Sequence, residues 1–566
     1  MSINSLLKNY YGQIENDKSK TREIIAFCFF CIGTIALSFF HEPWFDEFQA
    51  WGISKDNLYN ILFVIPHYEG HPPFWHLILK CFTHFNLPPE LCIKIPNLTI
   101  MFGAIWLLIF KSPFPRLVRL TLPFTYFLFY QYAIISRPYS IFVFAIFLCA
   151  LFFNSKDTHP FRFVVSLAVL CLSSAYGMIF TTGITIAWAL DFIDFKNFKI
   201  SLINFFKTKQ FKAIFLLFVF CFILLAEIFP SSKNASRHFL QYAPLYLKFL
   251  FSFFGIFSDA TIFDIVNFNR DLYIYKYKLS QIVYSFFALG FGIYLVSFLI
   301  NCFKKIYRLN YLIIPYFIFC SFCFLIYYWP HHVGVLFAFL IFLFWTNFDV
   351  LKEKLPPKYK KNLYILILLT ICTQLSWSLC AYINEYKYDY APSRQLVNYI
   401  KEYNLYEYKI FSEWREFPIY KDKQGILYFD EDDLKKGEQY EETWRINPED
   451  QGIPVIISPY FNKNIFQNFN IDYPEKLYLP HLYRTPKEQT EIKNKWKEKG
   501  LPDILIGKAR LDGVWEGYKT KYNYFSIKNF CYCPVWKNLA PCGNISVFAH
   551  KNLYDRLQNY DKNTPK

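Results

Sequence analysis

Residues 24–47 read IIAFCFFCIGTIALSFFHEPWFDE, an apolar run that ends abruptly in polar and charged side chains. The run from Ile24 to Phe40 approaches the ~20 apolar residues that a helix needs to cross the hydrocarbon core of a membrane. Three basic residues lie within positions 18–22, and no small-residue cleavage site follows the run. We therefore interpret it as a retained membrane span rather than a cleaved signal peptide.

The composition extends this interpretation to most of the chain. Of the 566 residues, 54% are hydrophobic and only 18% are charged, whereas a soluble globular protein carries about a quarter charged residues. Apolar runs fill the first two thirds, and the sequence from Tyr386 onward is polar. This division predicts a cytoplasmic N-terminus (1–22), a membrane domain (23–385) and a soluble C-terminal domain (386–566).

The apolar runs predict about eleven transmembrane helices, so the expected fold class is an α-helical polytopic membrane protein with a C-terminal soluble α/β domain. The predicted spans are 23–40, 92–110, 117–134, 139–154, 161–177, 178–195, 212–229, 279–300, 310–328, 332–348 and 362–383.

Basic loops orient the membrane domain, because Lys and Arg gather between every second pair of spans. These loops are 111–119, 156–162, 196–212, 304–308 and 352–361. Since basic loops stay on the cytoplasmic side, we predict a multi-pass protein of the inner (plasma) membrane with a cytoplasmic N-terminus and an extracytoplasmic C-terminal domain. Two long outer loops, 41–90 and 230–278, are expected to form interfacial helices.

The net charge of +16 raises nucleic acid as a partner. The charge is spread over short loops, however, and forms no basic stripe interleaved with aromatic residues. We therefore predict no nucleic-acid binding and assign part of the charge to membrane lipids.

The C-terminal domain is predicted to be a small α/β unit. Helical spacing covers Arg394–Tyr403, whereas short apolar runs bounded by Pro, Gly and Asp predict strands. The predicted strands are Tyr408–Ser412, Pro454–Pro459, Asp503–Ile506 and Ile545–His550. A disulfide is favoured in an exported domain, and the sequence leaves open which of the nearby cysteines pair. These cysteines are Cys531, Cys533 and Cys542.

Two adjacent carboxylates, Asp46 and Glu47, follow the first span at the expected membrane interface. Partial desolvation raises the proton affinity of a carboxylate, which suits a general base. We predict both residues to be catalytic. The alternative is a pair of solvated acids that stop the helix from sinking into the bilayer.

The same loop ends in His67-Tyr68-Glu69-Gly70-His71, followed by two prolines. We expect Tyr68, Glu69 and His71 to contact a substrate. Two His and one Glu within five residues suggest metal ligands, but their spacing is irregular. We assign no metal ligand and no cofactor, and a divalent metal stays open as an alternative.

Further candidates for binding a substrate phosphate lie on the same predicted face of the membrane. They are Arg137, Tyr139, Lys233, Arg237, His238, His331 and His332. The alternative for each is a contact with lipid headgroups or a place in the interfacial aromatic belt. Carboxylates and cations on one face together favour chemistry in which a carboxylate deprotonates an acceptor while cations stabilise a departing phosphate.

Three motifs resemble the pattern of the GT-C glycosyltransferases, in particular the protein O-mannosyltransferases and the lipid A aminoarabinose transferases. They are Pro43-Trp44-Phe45-Asp46-Glu47, His71-Pro72-Pro73-Phe74 and Arg137-Pro138-Tyr139. The His331-His332-Val333-Gly334 opening of a late span is similar to a variant among bacterial members. The resemblance covers residues 20–350, and the C-terminal domain lies outside it.

The resemblance implies transfer of a sugar from a polyprenyl-phosphate carrier to a glycan, lipid or protein acceptor, at the non-cytoplasmic face and with inversion. It implies that Asp46 is the general base with Glu47 beside it, and that His71 and Arg137 lie near the donor phosphate. The assignment of Lys233, Arg237 and His238 as phosphate contacts by this resemblance rests on no tight motif. The chain has fewer predicted spans than the larger members and a compact tail, which leaves the acceptor open.

Two other functions remain alternatives. A ligase or polymerase that uses a diphosphate-linked oligosaccharide would employ the same cations on the outer face. A flippase or transporter for lipid-linked glycans is less favoured, because it predicts ionisable residues deep within several spans and internal repeats. The sequence has Glu227 near the outer end of one span, few other charges within the spans, and no repeat.

Overall fold

The structure is a computed structural model. It describes residues 19–85, 87–231, 245–264, 279–326, 332–412, 420–421, 427–428, 441–442, 448–480, 486–508, 523–537 and 540–563. The predicted phosphate-binding residues Lys233, Arg237, His238 and His331 lie outside these described residues.

Six of the described helices are long and apolar enough to cross a membrane, which confirms the predicted membrane character. They are α1 (Thr21–Phe40), α5 (Pro89–Lys111), α11 (Lys209–Ile228), α14 (Leu279–Lys305), α16 (Val333–Lys354) and α17 (Pro357–Lys387). Four predicted spans correspond to shorter apolar helices. They are α7 (Tyr139–Phe153), α8 (Pro160–Ser173), α9 (Ala175–Leu190) and α15 (Leu309–Leu325). The total of eleven crossings stays a prediction.

The prediction of one helix over 117–134 is wrong. The chain there forms α6 (Arg116–Thr121), a 3₁₀ turn (Leu122–Phe124) and a π-helical segment (Tyr126–Gln131). Pro123 explains the break, because a proline lacks the backbone donor and disfavours helical backbone in the residue before it. All six residues of the π-helical segment are buried. Irregular backbone is tolerated at membrane depth only where protein surrounds it, as it does here.

Close helix packing builds the membrane-domain core. At the contact of α9 with α15, a Cβ added to Gly183 would lie 2.4 Å from the Cα of Pro315, so this approach requires glycine. One turn earlier in α9, the ring of Phe180 stacks on Phe319 with centroids 5.2 Å apart. Helices α1, α11 and α14 carry exposed apolar side chains, mainly Phe and Ile, as expected for helices in a hydrocarbon solvent.

Ion pairs gather several of the predicted basic loops at one end of the bundle. Arg116 Nε lies 2.7 Å from Glu23 Oε1 at the start of α1. Lys156, after α7, and Arg308, before α15, each lie 3.7 Å from Asp191 Oδ2. Helices α1 and α7 both run between this end and the opposite end, where the predicted catalytic residues lie. The placement of either end relative to a membrane stays a prediction.

The first outer loop is helical, as predicted. It contains α2 (Phe45–Ser54), a π-helical segment (Asn60–Val64), α3 (Pro66–Glu69) and α4 (Phe74–Thr83). Within the remaining membrane-domain sequence, the structure adds short helices. They are α10 (Phe198–Phe206), α12 (Leu245–Leu250), a π-helical segment (Phe251–Gly255) and α13 (Ile256–Asp259).

The C-terminal region combines helices with two small sheets. Its helices are α18 (Ser393–Glu402), α19 (Pro448–Ile457), α20 (Pro486–Glu498) and α21 (Lys551–Asn563). Its strands are β1 (Ile410–Phe411), β2 (Tyr420–Lys421), β3 (Leu427–Tyr428), β4 (Glu441–Glu442), β5 (Ile504–Lys508), β6 (Tyr524–Tyr532) and β7 (Gly543–His550). One sheet has the order β1-β5-β7-β6, in which β1 and β5 are parallel and the other pairs antiparallel. The other has the antiparallel order β3-β2-β4.

The predicted strand Pro454–Pro459 is wrong, because this run ends α19 and begins a 3₁₀ turn (Ser458–Phe461). A short apolar run that is buried on all sides has no periodicity to separate strand from helix. Helix Arg394–Tyr403 and the other three predicted strands match α18, β1, β5 and β7. The structure pairs Cys533 with Cys542 and leaves Cys531 as an exposed free thiol.

Candidate functional site

Asp46 and Arg137 form an ion pair at the end of the bundle away from the basic loops. Asp46 belongs to the first turn of α2, where the helix dipole favours an anion. Arg137 precedes α7, and its guanidinium lies 6.0 Å from the ring centroid of Trp44 and 5.8 Å from that of Tyr139. The two charged side chains remain 26% and 14% exposed. The sequence placed both on one face, and the structure brings them into contact.

Glu47 lies beside Asp46 in sequence but in a different environment, since its side chain is fully buried. Its Oε1 accepts the backbone N–H of Ser136 at 2.7 Å, and its Oε2 accepts that of Trp44 at 3.1 Å. Oε2 also lies 2.9 Å from His41 Nε2. The residue predicted as a second catalytic carboxylate therefore holds the backbone before Arg137, and Asp46 is the accessible acid of the two.

His41 bridges two buried carboxylates, because its Nδ1 also lies 2.8 Å from Glu385 Oε1 at the end of α17. The hydroxyl of Tyr130 donates to the other oxygen of Glu385. Burial alone would lower the pKa of His41, but the charges and hydrogen bonds of Glu47 and Glu385 raise it from 6.5 to about 9. The imidazolium thus donates to both carboxylates at neutral pH, and the network ties the first span to the last.

His332 lies next to Tyr139, one of the aromatic residues that flank Arg137. It is buried, its Nδ1 lies 2.7 Å from the hydroxyl of Tyr176, and its ring centroid lies 5.7 Å from that of Tyr139. Tyr139 is itself buried beside Arg137. The structure therefore brings three predicted residues, Arg137, Tyr139 and His332, into one connected group.

Gln49 connects Asp46 to the second predicted cluster. It follows Asp46 by three residues in α2, so both lie on one helix face. Its Nε2 donates to Glu69 Oε1 at 3.1 Å and to the carbonyl of Leu479 at 2.7 Å. Tyr68 precedes Glu69 in α3 and is partly buried. The C-terminal region thus contacts the site through the residues around Leu479.

Two histidines of the first outer loop, His71 and His76, have lowered pKa values, in contrast to His41. Burial lowers the pKa of His76 to about 4, against the opposing charge of Glu69. Burial lowers the pKa of His71 as well, and its Nδ1 has no hydrogen-bond partner among the described residues. No group of three metal-ligating side chains occurs in the part of the chain that the structure describes.

A charged seam, formed by Glu42, Glu90, Lys94 and Arg394, joins α18 to the bundle beside the His41–Glu385 contact. The sequence analysis did not predict it. Arg394 donates through Nε to Glu90 at 2.9 Å and through Nη2 to the carbonyl of His41 at 3.1 Å. Lys94 donates to the same carbonyl at 2.7 Å and to Glu90 at 2.8 Å. Glu42 caps α18, accepting the backbone N–H of Arg394 at 3.1 Å, and burial raises its pKa from 4.5 to about 7.

A groove of about 370 Å³ lies between α1 and α5, and three residues of the seam, Glu90, Lys94 and Arg394, are part of its mainly apolar lining. Its lining includes Phe39, Leu98 and Phe102 but neither Asp46 nor Arg137. The groove is therefore separate from the predicted site residues.

No protein-family model matches the chain, and neither a curated protein nor a solved structure is significantly similar to it. A functional assignment for this chain therefore depends on its own motifs and geometry.

Proposed function

We propose that this chain is an integral-membrane glycosyltransferase that moves a sugar from a polyprenyl-phosphate carrier to a glycan, lipid or protein acceptor. The observation that carries the proposal is the Asp46–Arg137 ion pair, in which a base and a phosphate-binding group are in contact and partly exposed. Its position at the end opposite the basic loops supports chemistry at the non-cytoplasmic face. The resemblance of the surrounding motifs to the GT-C glycosyltransferases supports the same reaction class.

The ion pair suggests how binding and catalysis are coupled. A donor phosphate competes with Asp46 for the guanidinium of Arg137, whose planar fork fits phosphate oxygens. A carboxylate released from its cation is a stronger base, so Asp46 gains proton affinity when the donor is bound. The aromatic rings of Trp44 and Tyr139 flank Arg137 and keep it beside the site after the exchange.

The transfer step is a single displacement. The acceptor hydroxyl oxygen attacks the anomeric carbon, its proton passes to Asp46, and the bond between that carbon and the phosphate oxygen breaks. The electron pair of that bond leaves with the carrier phosphate, whose charge Arg137 stabilises. Attack opposite the leaving group inverts the anomeric centre.

Glu47, His41 and Glu385 act as positioning residues in this proposal. The Glu47 carboxylate accepts the backbone N–H of Ser136, directly before Arg137, and His41 Nε2 contacts the same carboxylate. All three side chains are fully buried. Buried, fully hydrogen-bonded groups around a site keep its base and its cation at fixed positions relative to a bound substrate, which favours rapid transfer.

A panel of labelled donors tests the proposal. Purified protein in bilayers is given polyprenyl-monophosphate sugars and polyprenyl-diphosphate glycans, with a candidate glycan, lipid or peptide acceptor in each reaction. We expect label to move from a monophosphate donor with release of polyprenyl monophosphate. Release of a polyprenyl diphosphate would favour the ligase or polymerase alternative. Movement of donor across the bilayer without bond cleavage would favour a transporter.

A further inference from the structure

A loop of the C-terminal region, closed by the Cys533–Cys542 disulfide, packs into the membrane-domain core. Its Val535 is 2% exposed and belongs to the same buried cluster as residues of α7 and α16. The backbone N–H of Cys533 donates to the carbonyl of Asp389, just after α17, at 2.8 Å. The loop therefore penetrates the bundle rather than resting on its surface.

Lys537 is the charged residue of this loop, and its side chain is fully buried. Its Nζ lies 2.5 Å from Asp259 Oδ1 and 3.0 Å from the Asp259 carbonyl, and 3.6 Å from Asp264 Oδ1. The ammonium also lies 4.3 Å from the ring centroid of Trp377 in α17. A buried charge of this kind is tolerated only with its partners in place, so the seating of the loop is specific.

A chain of contacts leads from the loop to the buried network of the site. The ring of Trp536 lies 5.8 Å from Tyr126, which stacks on Tyr130 at 5.6 Å. Tyr130 in turn donates to Glu385, the carboxylate that binds His41. The loop thus packs against the π-helical segment Tyr126–Gln131, whose backbone lacks the regular hydrogen bonding of an α-helix.

We propose that this loop is a positioning element of the site: Trp536 and Lys537 hold Tyr126 and Tyr130 so that Glu385 stays on His41, and the disulfide keeps the loop in the form that does so. The C-terminal domain is then an integral part of the site rather than a cover for it. The effect on transfer rests on the proposed glycosyltransferase function, whereas the structural effect does not.

Hydrogen–deuterium exchange tests the structural effect without any activity. The variants are Cys533→Ser/Cys542→Ser and Lys537→Met/Asp259→Asn, the second of which removes the charge of Lys537 together with that of Asp259, the carboxylate nearest to it. In each we expect peptides covering 126–131 to exchange about tenfold faster than in the wild type. The matched control is Cys531→Ser, which removes the exposed free thiol next to the loop and should exchange like the wild type. Faster exchange in 533–537 alone, with 126–131 unchanged, would overturn the inference.

Transfer kinetics supply the second readout. A displaced positioning network lowers kcat by about tenfold or more and leaves the KM for the donor within about twofold, because Asp46 and Arg137 are unaltered. Equal kcat in the wild type and both loop variants would contradict the positioning role. If the wild type itself transfers no sugar, the proposed function fails, and the exchange measurement still decides whether the loop orders the segment 126–131.

Discussion

His41 and Glu385 lie 344 positions apart in the sequence, yet Nδ1 of the imidazole lies 2.8 Å from Oε1 of the carboxylate in the interior of the bundle. The contact joins the end of the first long helix to the end of the last. Glu47 binds the other imidazole nitrogen at 2.9 Å, so one imidazole ring bridges two buried carboxylates. The stability of the membrane domain and the geometry of the site therefore depend on the same three side chains.

Replacing Glu385 should destabilise the protein. Glu385→Leu leaves the His41 charge with one partner fewer and the Tyr130 hydroxyl without its acceptor, at a cost of about 3 kcal/mol in the free energy of unfolding. Glu385→Gln retains hydrogen bonding and should cost less. Unfolding of purified protein in detergent micelles measures both, with Glu407→Gln, a change at an exposed carboxylate, as the control. Equal stability of Glu385→Leu and the wild type would show that the network contributes nothing.

The stability should also depend on pH through His41. Its pKa is raised from 6.5 in the unfolded chain to about 9 in the folded protein, so its stabilising effect is complete below pH 6.5 and is lost as the pH rises to about 9. The shift corresponds to about 3 kcal/mol. The groups facing the imidazole are Glu47, Glu385 and the ring of Tyr390.

Unfolding measured between pH 7 and 9 isolates this effect. Glu42, whose pKa is raised to about 7, titrates mainly below that window. The wild type should lose stability across the window, whereas His41→Gln should start less stable and show a flatter profile. Parallel profiles for the two proteins would mean that His41 is not the titrating group.

Arg137→Gln should weaken binding of the donor phosphate. Loss of a charge-assisted, forked contact costs about 1.5–3 kcal/mol, or 10- to 100-fold in Kd. Binding of a polyprenyl-monophosphate sugar to protein in nanodiscs measures the change. Arg162→Gln is the matched control, because Arg162 is also stacked on an aromatic ring, 5.1 Å from Phe152, but lies beyond the other end of α7. Unchanged affinity in Arg137→Gln would remove Arg137 from the donor site.

Much of the membrane domain could be predicted from the sequence, because hydrophobic runs report directly on burial in a membrane or a core. Ten of the predicted spans correspond to helices, whereas 117–134 does not. Hydropathy does not register the break at Pro123, and only tertiary packing shows that the segment is enclosed by protein. The prediction of a strand at Pro454–Pro459 was wrong for a related reason. When a segment is buried on every side, its sequence is apolar throughout and has no alternation that separates a strand from a helix.

The site could be predicted in part. The sequence placed Asp46, Arg137, Tyr139 and His332 on one face, and the structure connects them. Asp46 and Glu47 could not be distinguished from the sequence. Asp46 is partly exposed and Glu47 is buried, and this difference arises from tertiary contacts. The pairing of His41 with Glu385 crosses almost the whole membrane domain. An acid two residues beyond the predicted last span, 362–383, was the signal that could have indicated it.

The most direct test of the central claim is single-turnover transfer by Asp46→Asn with the donor already bound. The substitution keeps the shape of the side chain and removes its charge, and it also frees Arg137, so the donor should bind at least as tightly as in the wild type. We predict that the rate of transfer falls by about a thousandfold, within the range that a general base contributes. Transfer within tenfold of the wild-type rate, from folded protein that binds the donor, would contradict the assignment of Asp46 as the base.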